Sequence, residues 1–256
     1  MVRIKKLMIA LLVITSIISC KKEETKPGQA SFKVSITDAP GDYEHIYLEV
    51  LEVAINNGGW QTITQTQADT FDILDYTNGD KLLLAEGDID AGSTTEIRLV
   101  LGANNWLVLK DGTSHELKVP SGSSSGLKIK LDTKTTQAGQ TYYVVLDFDA
   151  SKSIVKQGNG NYSLKPVIRG YWDEGNGSAE GYAISTGYQV NVHAINNADT
   201  LGGTIANATT GYYFIGGLPK GNYSFSYESS NGKDTAVSAI QVIQNQTTVI
   251  DTVDLN

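Results

Sequence analysis

Across 256 residues there is one cysteine, Cys20, so no disulfide can form within the chain. The only three histidines, His45, His115 and His193, lie far apart, and no His-Glu-x-x-His spacing occurs. The pattern of a zinc hydrolase is therefore missing. Lys and Arg number 20 against 28 Asp and Glu, a formal net charge of −8. A chain that lacks a basic excess has no electrostatic footprint for nucleic acid, and no nucleic-acid partner is expected. After residue 18 no apolar run approaches the roughly 20 residues needed to cross a bilayer.

The one apolar run stands at the start. Arg3, Lys5 and Lys6 precede a stretch from Leu7 to Ile18 broken only by Thr15 and Ser16. A basic start with a short apolar run is the pattern of a secretory signal peptide, not of a membrane span. It ends Ile17-Ile18-Ser19-Cys20, which resembles the lipobox of bacterial lipoproteins. That resemblance implies cleavage after residue 19, lipid on Cys20, and a membrane partner reached through the lipid. Two or more acyl chains, at about 0.8 kcal/mol per buried CH₂, anchor stably where one does not. Residues 20–30, with Lys21, Lys22, Glu23, Glu24, Pro27 and Gly28, read as a flexible tether. The acidic pair so close to Cys20 also resembles the surface-export signal of some Gram-negative lipoproteins. The expected location is the cell outer membrane, with exposure at the surface left open.

The body reads as all-β. Phe32, Val34 and Ile36 alternate with polar residues, as do Ile97, Leu99 and Leu101, and Leu127, Ile129 and Leu131. This is the two-residue period of half-buried strands. Asn57-Gly58, Asn78-Gly79, Asp111-Gly112, Asn159-Gly160 and Asn231-Gly232 supply turns. Many short strands at regular spacing point to sandwiches. One short helical turn is expected near Asp80 to Glu86. A linker at residues 173–177 divides a domain at 31–172 from a smaller one at 178–256. The smaller has no disulfide or metal motif to staple it and is expected to lean on the larger.

Both halves carry family resemblances. The segment Phe32-Lys-Val-Ser-Ile-Thr-Asp38-Ala39-Pro40-Gly41-Asp42-Tyr43, then Glu96-Ile97-Arg98-Leu99, Leu146-Asp147-Phe148-Asp149 and Leu164-Lys165-Pro166-Val167-Ile168-Arg169, resembles domain-of-unknown-function family 4382. That family is marked by an Asp-Ala-Pro motif and occurs in bacterial exported proteins. Ala91-Gly92-Ser93-Thr94 departs from it, where the family places Tyr after the Gly-x pair. Gly181-Tyr182-Ala183-Ile184, Thr209-Thr210-Gly211-Tyr212-Tyr213-Phe214 and Gly217-Leu218-Pro219-Lys220-Gly221-Asn222-Tyr223 resemble carboxypeptidase regulatory-like, transthyretin-type (prealbumin-like) sandwiches. The resemblances imply an exported pair of Ig-like or prealbumin-like β-sandwiches without an established activity. The second also implies that Tyr223 packs back over a corner made by Pro219 and Gly221.

Four constellations admit more than one chemistry. Asp38, before Pro40-Gly41, suits a turn-capping carboxylate or, with Asp42, a calcium ligand. Asp147 and Asp149 lie two apart on a strand and face one way. They can be an acid pair neutralised by Lys152 or Arg169, a calcium site with Asp38, or a glycan-cleaving pair. The segment lacks the Gly and closing Glu of an EF-hand. Gly122-Ser-Ser-Ser-Gly126 satisfies the serine-hydrolase spacing, but a strand follows where a helix is needed, so it reads as a loop. Trp60 and Trp106 beside turns, and Trp172 at the boundary, offer rings for stacking on sugars or for the core.

The expected function is therefore a non-enzymatic, lipid-anchored envelope protein that binds a glycan or another extracellular ligand. A structural adhesion or assembly component with envelope protein partners is the alternative, and a glycan hydrolase using Asp147 and Asp149 the third reading. A structural calcium is the one cofactor considered.

Overall fold

A computed structural model describes residues 28–39, 41–66, 70–119 and 125–256. The leader, Cys20, Pro40 and most of the Gly122–Gly126 loop lie outside the described residues.

The alternating segments become strands of two sheets closed on one core. The larger sheet has eight strands. Edge to edge they are Leu127–Thr135, Ser93–Leu101, Val50–Asn56, Trp60–Gln65, Leu82–Asp90, Gln29–Ala39, Thr141–Asp149 and Ile168–Trp172. The facing sheet has six: Ile154–Lys156, Tyr162–Leu164, Ser114–Lys118, Trp106–Val108, His45–Leu48 and Phe71–Asp72. Phe32, Ile36, Ile46, Leu48, Ile55, Leu84 and Phe148 are fully buried between them. Each such side chain contributes about 1.5–3 kcal/mol. The strand Gln29–Ala39 is central and runs parallel to Thr141–Asp149, which sets Thr37 opposite Asp147 and Asp38 opposite Phe148. That register brings the acids of two distant segments to one end of the sheet.

A second core is drawn from residues 179–255. Here a sheet of Asp199–Ile205, Val190–Asn196, Gly221–Ser229 and Asp234–Val242 faces a sheet of Tyr212–Leu218 and Gly177–Ile184, with Thr247–Val249 and Val253–Asp254 both parallel to the latter. The corner is built as expected from its sequence. Tyr223 is buried and its hydroxyl donates to the Pro219 carbonyl at 2.8 Å.

Three expectations need correction. The helical turn near Asp80 to Glu86 is absent: Leu82–Asp90 is a strand hydrogen-bonded to neighbours on both sides. Leu and Ala favour helices in isolation, but two-sided pairing and the burial of Leu82, Leu84 and Ala85 decide the outcome. Helical turns instead occur at Ile73–Asp75 and Ala150–Ser153, each capped by the aspartate before it. Gln29 and Ala30, placed in the tether, belong to the first strand, and Ala30 is fully buried. Gly177, placed in the linker, begins a strand. A Cβ on Gly177 would press into the backbone after Val242, so the small residue there allows close approach and is not a sign of flexibility.

No helix among the described residues is long and apolar enough to cross a membrane.

Candidate functional site

The junction of the two sandwiches gathers the candidate acids. Asp147 is bound by Arg169, whose Nε and Nη2 donate to Oδ2 at 3.2 and 2.7 Å. The pairing of Thr141–Asp149 with Ile168–Trp172 makes this contact, because Asp147 and Arg169 are direct cross-strand partners. The same guanidinium donates onward to the carbonyls of Leu201, Gly216 and Gly217 at 2.6, 2.7 and 3.2 Å. Arg169 thus ties the larger sandwich to two strands of the smaller. Burial pushes the Asp147 carboxyl up, and Arg169 pulls it back. Asp149 caps the Ala150–Ser153 turn by accepting from the Lys152 N–H at 3.0 Å, and it pairs with Lys152 Nζ at 2.6 Å. The acids two apart are therefore each neutralised by a cation, Arg169 for one and Lys152 for the other.

Asp38 differs. It is 3% exposed, and its Oδ1 accepts from the Ala150 N–H at 3.1 Å. Its Oδ2 has no hydrogen-bond partner among the described residues. Burial raises its pKa well above the ordinary carboxylate range, with further raising from Asp147, Asp149 and Asp72. Asp38, Asp147 and Asp149 stand near one another, but only Asp38 lacks a counter-charge. Among the described residues no three His, Cys, Asp or Glu side chains form a metal-binding group. Asp42 lies on a half-exposed loop beside Tyr43.

The three tryptophans separate. Trp172 is 4% exposed, packed 6.3 Å from Phe32 and 6.1 Å from Tyr142 between ring centroids, and its Nε1 donates to the Asp132 carbonyl at 2.7 Å. It is a core residue and offers no face to a ligand, which removes it from the binding candidates. Trp60 is half-buried with the Arg98 guanidinium 5.0 Å and the Lys128 ammonium 5.9 Å from its ring centre. The protein's own cations occupy its π surface.

Trp106 is 43% exposed. Its position is fixed by the loop before it. Asn105 is fully buried, donates to the Gly102 carbonyl at 2.8 Å and accepts from the Glu49 N–H at 2.9 Å. The Trp106 Nε1 donates to Asn104 Oδ1 at 2.8 Å. Register places Tyr47 and Glu116 directly beside Trp106 on the two neighbouring strands. Because Ile46 and Leu107 point into the core, Tyr47, Trp106 and Glu116 form a row across the outer face of the six-stranded sheet.

Sequence reading missed one member of this face. His45 precedes Tyr47 by two positions, so it shares the outer face, and its ring stacks on Tyr47 at 5.6 Å between centroids. Its Nδ1 donates to Asp72 Oδ2 at 2.5 Å, while Asp72 Oδ1 accepts from the Ile46 and Leu74 N–H groups at 3.0 and 3.1 Å. A buried carboxylate thus orients a half-exposed imidazole, whose Nε2 is left for another partner. Spacing could not reveal this pair, which is 27 residues apart.

No curated protein matches the chain. Solved structures similar to it include the Bacillus anthracis TIE protein, at 10% identity with 88% of this chain and 33% of that one covered and a TM-score of 0.22. A leucine-rich repeat protein from Bacteroides thetaiotaomicron matches at 14% identity, 90% and 26% coverage and a TM-score of 0.20. BcpA, the major pilin subunit of Bacillus cereus, matches at 11% identity, 88% and 69% coverage and a TM-score of 0.21. The chain spans a third and about a quarter of the length of the first two. TM-scores this low do not establish a common arrangement over the whole chain, and nothing of those proteins' roles transfers. A family model for a domain of unknown function, DUF4382, matches residues 29–166, more than half of the chain. The chain belongs to the DUF4382 family.

Proposed function

We propose that this is a non-enzymatic, lipid-anchored envelope protein that binds an extracellular glycan on the outer face of its six-stranded sheet. The exposed Trp106 ring beside Tyr47 is the observation that carries the reading. Such rings offer rigid apolar area that stacks on the C–H face of a sugar. The His45 Nε2, the Asn104 side chain and Glu116 supply polar groups around them for hydroxyls. The leader and Cys20 supply the anchor, with the outer membrane as the location. A non-enzymatic role is supported by the state of the strand-end acids. A general acid and a nucleophile must be available to a sugar, whereas Asp147 and Asp149 are engaged by Arg169 and Lys152.

The experiment is a glycan array probed with the chain and with Trp106→Ala and Tyr47→Ala. Binding that falls at least about tenfold in each variant, the effect of losing about 1.4 kcal/mol, supports the proposal. Silence across a broad array, or binding that both variants retain, removes it.

Assembly with envelope partners has one observation in its favour. The strand Asp234–Val242 closes its sheet, and no strand among the described residues pairs with its outer side. A register shift opposite Tyr223 and Phe225 and a positive φ at Ala239 break that edge. Bulges of this kind discourage strand addition, which places this reading second.

A further inference from the structure

We infer that a calcium ion bridges the two sandwiches at the end of the first strand, held by Asp38 Oδ2, Asn78 Oδ1 and Thr204 Oγ1. The three residues line one small cleft, together with Asp147, Lys81 and Tyr171. Each of the three oxygen atoms is buried, and none has a hydrogen-bond partner among the described residues. Asp38 and Thr204 are 3% and 6% exposed. They come from three separate parts of the chain. Asp38 ends the central strand of the larger sandwich. Asn78 sits in the turn that bridges to it, where Asp38 pairs with Thr77 and donates its N–H to the Tyr76 carbonyl at 2.8 Å. Thr204 lies on Asp199–Ile205 of the smaller sandwich.

Counting donors shows why the three cannot satisfy one another. An ionised carboxylate and an amide oxygen only accept, and the threonine hydroxyl offers a single proton. With Asp38 ionised one acceptor is left over, and burying an unpaired acceptor is unfavourable. Charge gives the same answer. Asp147 is matched by Arg169, Asp149 by Lys152, Asp72 faces His45, and Lys81 is held by Asp173. Of Asp38, Asp72, Asp147 and Asp149, Asp38 is the one with no basic side chain paired to it among the described residues. A hard cation bound by oxygens satisfies three lone-pair donors at once and cancels that charge. Asn78 and Gly79 both have positive φ, 55° and 99°, and the tight turn they form lines the cleft beside Asp38. This ligand set differs from the three-acid set that the sequence suggests, since two of those acids already hold cations.

The test is calcium titration of the EDTA-treated, detergent-solubilised full chain by calorimetry, with thermal melts. One site per chain is expected, with Tm raised by roughly 5–10 °C at calcium a hundredfold above its Kd. Asp38→Asn should abolish the shift. Thr204→Val keeps the side-chain shape and should weaken binding by at least about tenfold. Asp149→Asn should bind normally. No heat and no Tm shift in the parent chain, with the Asp38 carboxyl carbon resonance showing a protonated acid at neutral pH, would overturn the assignment in favour of a proton or water. So would full affinity in Thr204→Val, or loss of binding in Asp149→Asn.

Discussion

The two sandwiches solve the burial problem with different residues. The larger core is mostly aliphatic, with Ile36, Ile46, Leu48, Ile55 and Leu84 packed around Phe32 and Phe148 and with Tyr142 and Trp172 beside them. The smaller sets three tyrosines, Tyr213, Tyr223 and Tyr227, against Ala179, Ala183, Ala194 and Ala206. A small sandwich encloses little volume and gains less from burial. Rings of this size fill that volume with few residues, but each brings a hydroxyl that needs a partner. The Tyr213 and Tyr227 hydroxyls bond each other at 2.7 Å, and Tyr223 bonds the Pro219 carbonyl. Burial raises all three phenol pKa values, and the bond to Tyr227 raises that of Tyr213 further. The smaller core is therefore tied by polar contacts between its rings, while the larger uses such contacts at its margin, as at Trp172, and otherwise relies on shape. The smaller also borrows stability across the junction through Arg169.

That contrast can be broken most severely at Arg169. Arg169→Ala strips the half-buried Asp147 of its partner and takes one donor from each of three carbonyls, which should cost about 3 kcal/mol or more. Calorimetry should then resolve two transitions, the smaller sandwich melting first. One unchanged transition would show that the halves are not coupled there. Arg169→Lys should recover little, because one ammonium cannot span the carboxylate and the three carbonyls. Next comes Tyr227→Phe, which orphans the Tyr213 hydroxyl and should lower stability by about 1–3 kcal/mol in urea unfolding. Tyr223→Phe removes a single bond and should cost about 0.5–1.5 kcal/mol. A neutral effect in both would place the smaller core with the larger as one governed by shape.

The least effect is a pH slope confined to the larger sandwich. Burial raises the Asp38 pKa in the folded state, so the acid form is favoured there. Its stabilising contribution is complete below the ordinary carboxylate pKa and is lost as pH rises through the higher folded value. In EDTA, stability should fall with rising pH across that window, and Asp38→Asn should flatten the slope. Saturating calcium should flatten it as well.

Strand placement was legible where one face is wet. Phe32, Val34 and Ile36 alternate with polar residues because their sheet covers one core. Asp234–Val242 was not legible: it is an edge strand with most side chains exposed, so burial imposes no pattern on it. Leu82–Asp90 misled because its leucines suit a helix and only distant pairing makes them a strand. At the junction, the Asp147–Arg169 partnership was open to sequence reading as one of two neutralising pairs, although residues 150–167 separate the two strands. The Tyr223 corner was legible because Pro219, Gly221 and Tyr223 lie within five residues of one another. His45 with Asp72, and Asp38 with Asn78 and Thr204, were not. Each group assembles from segments that only the sheet registers and the packing of the two sandwiches bring together.

In the proposed function, the leader and the lipid on Cys20 carry the protein to the envelope and hold it there. Intact-mass spectrometry of the native protein extracted from membranes tests this directly. The account predicts a chain beginning at Cys20 with two or three acyl chains on it, released only by detergent. A chain that starts at another residue, or that leaves the membrane in buffer alone, would contradict it.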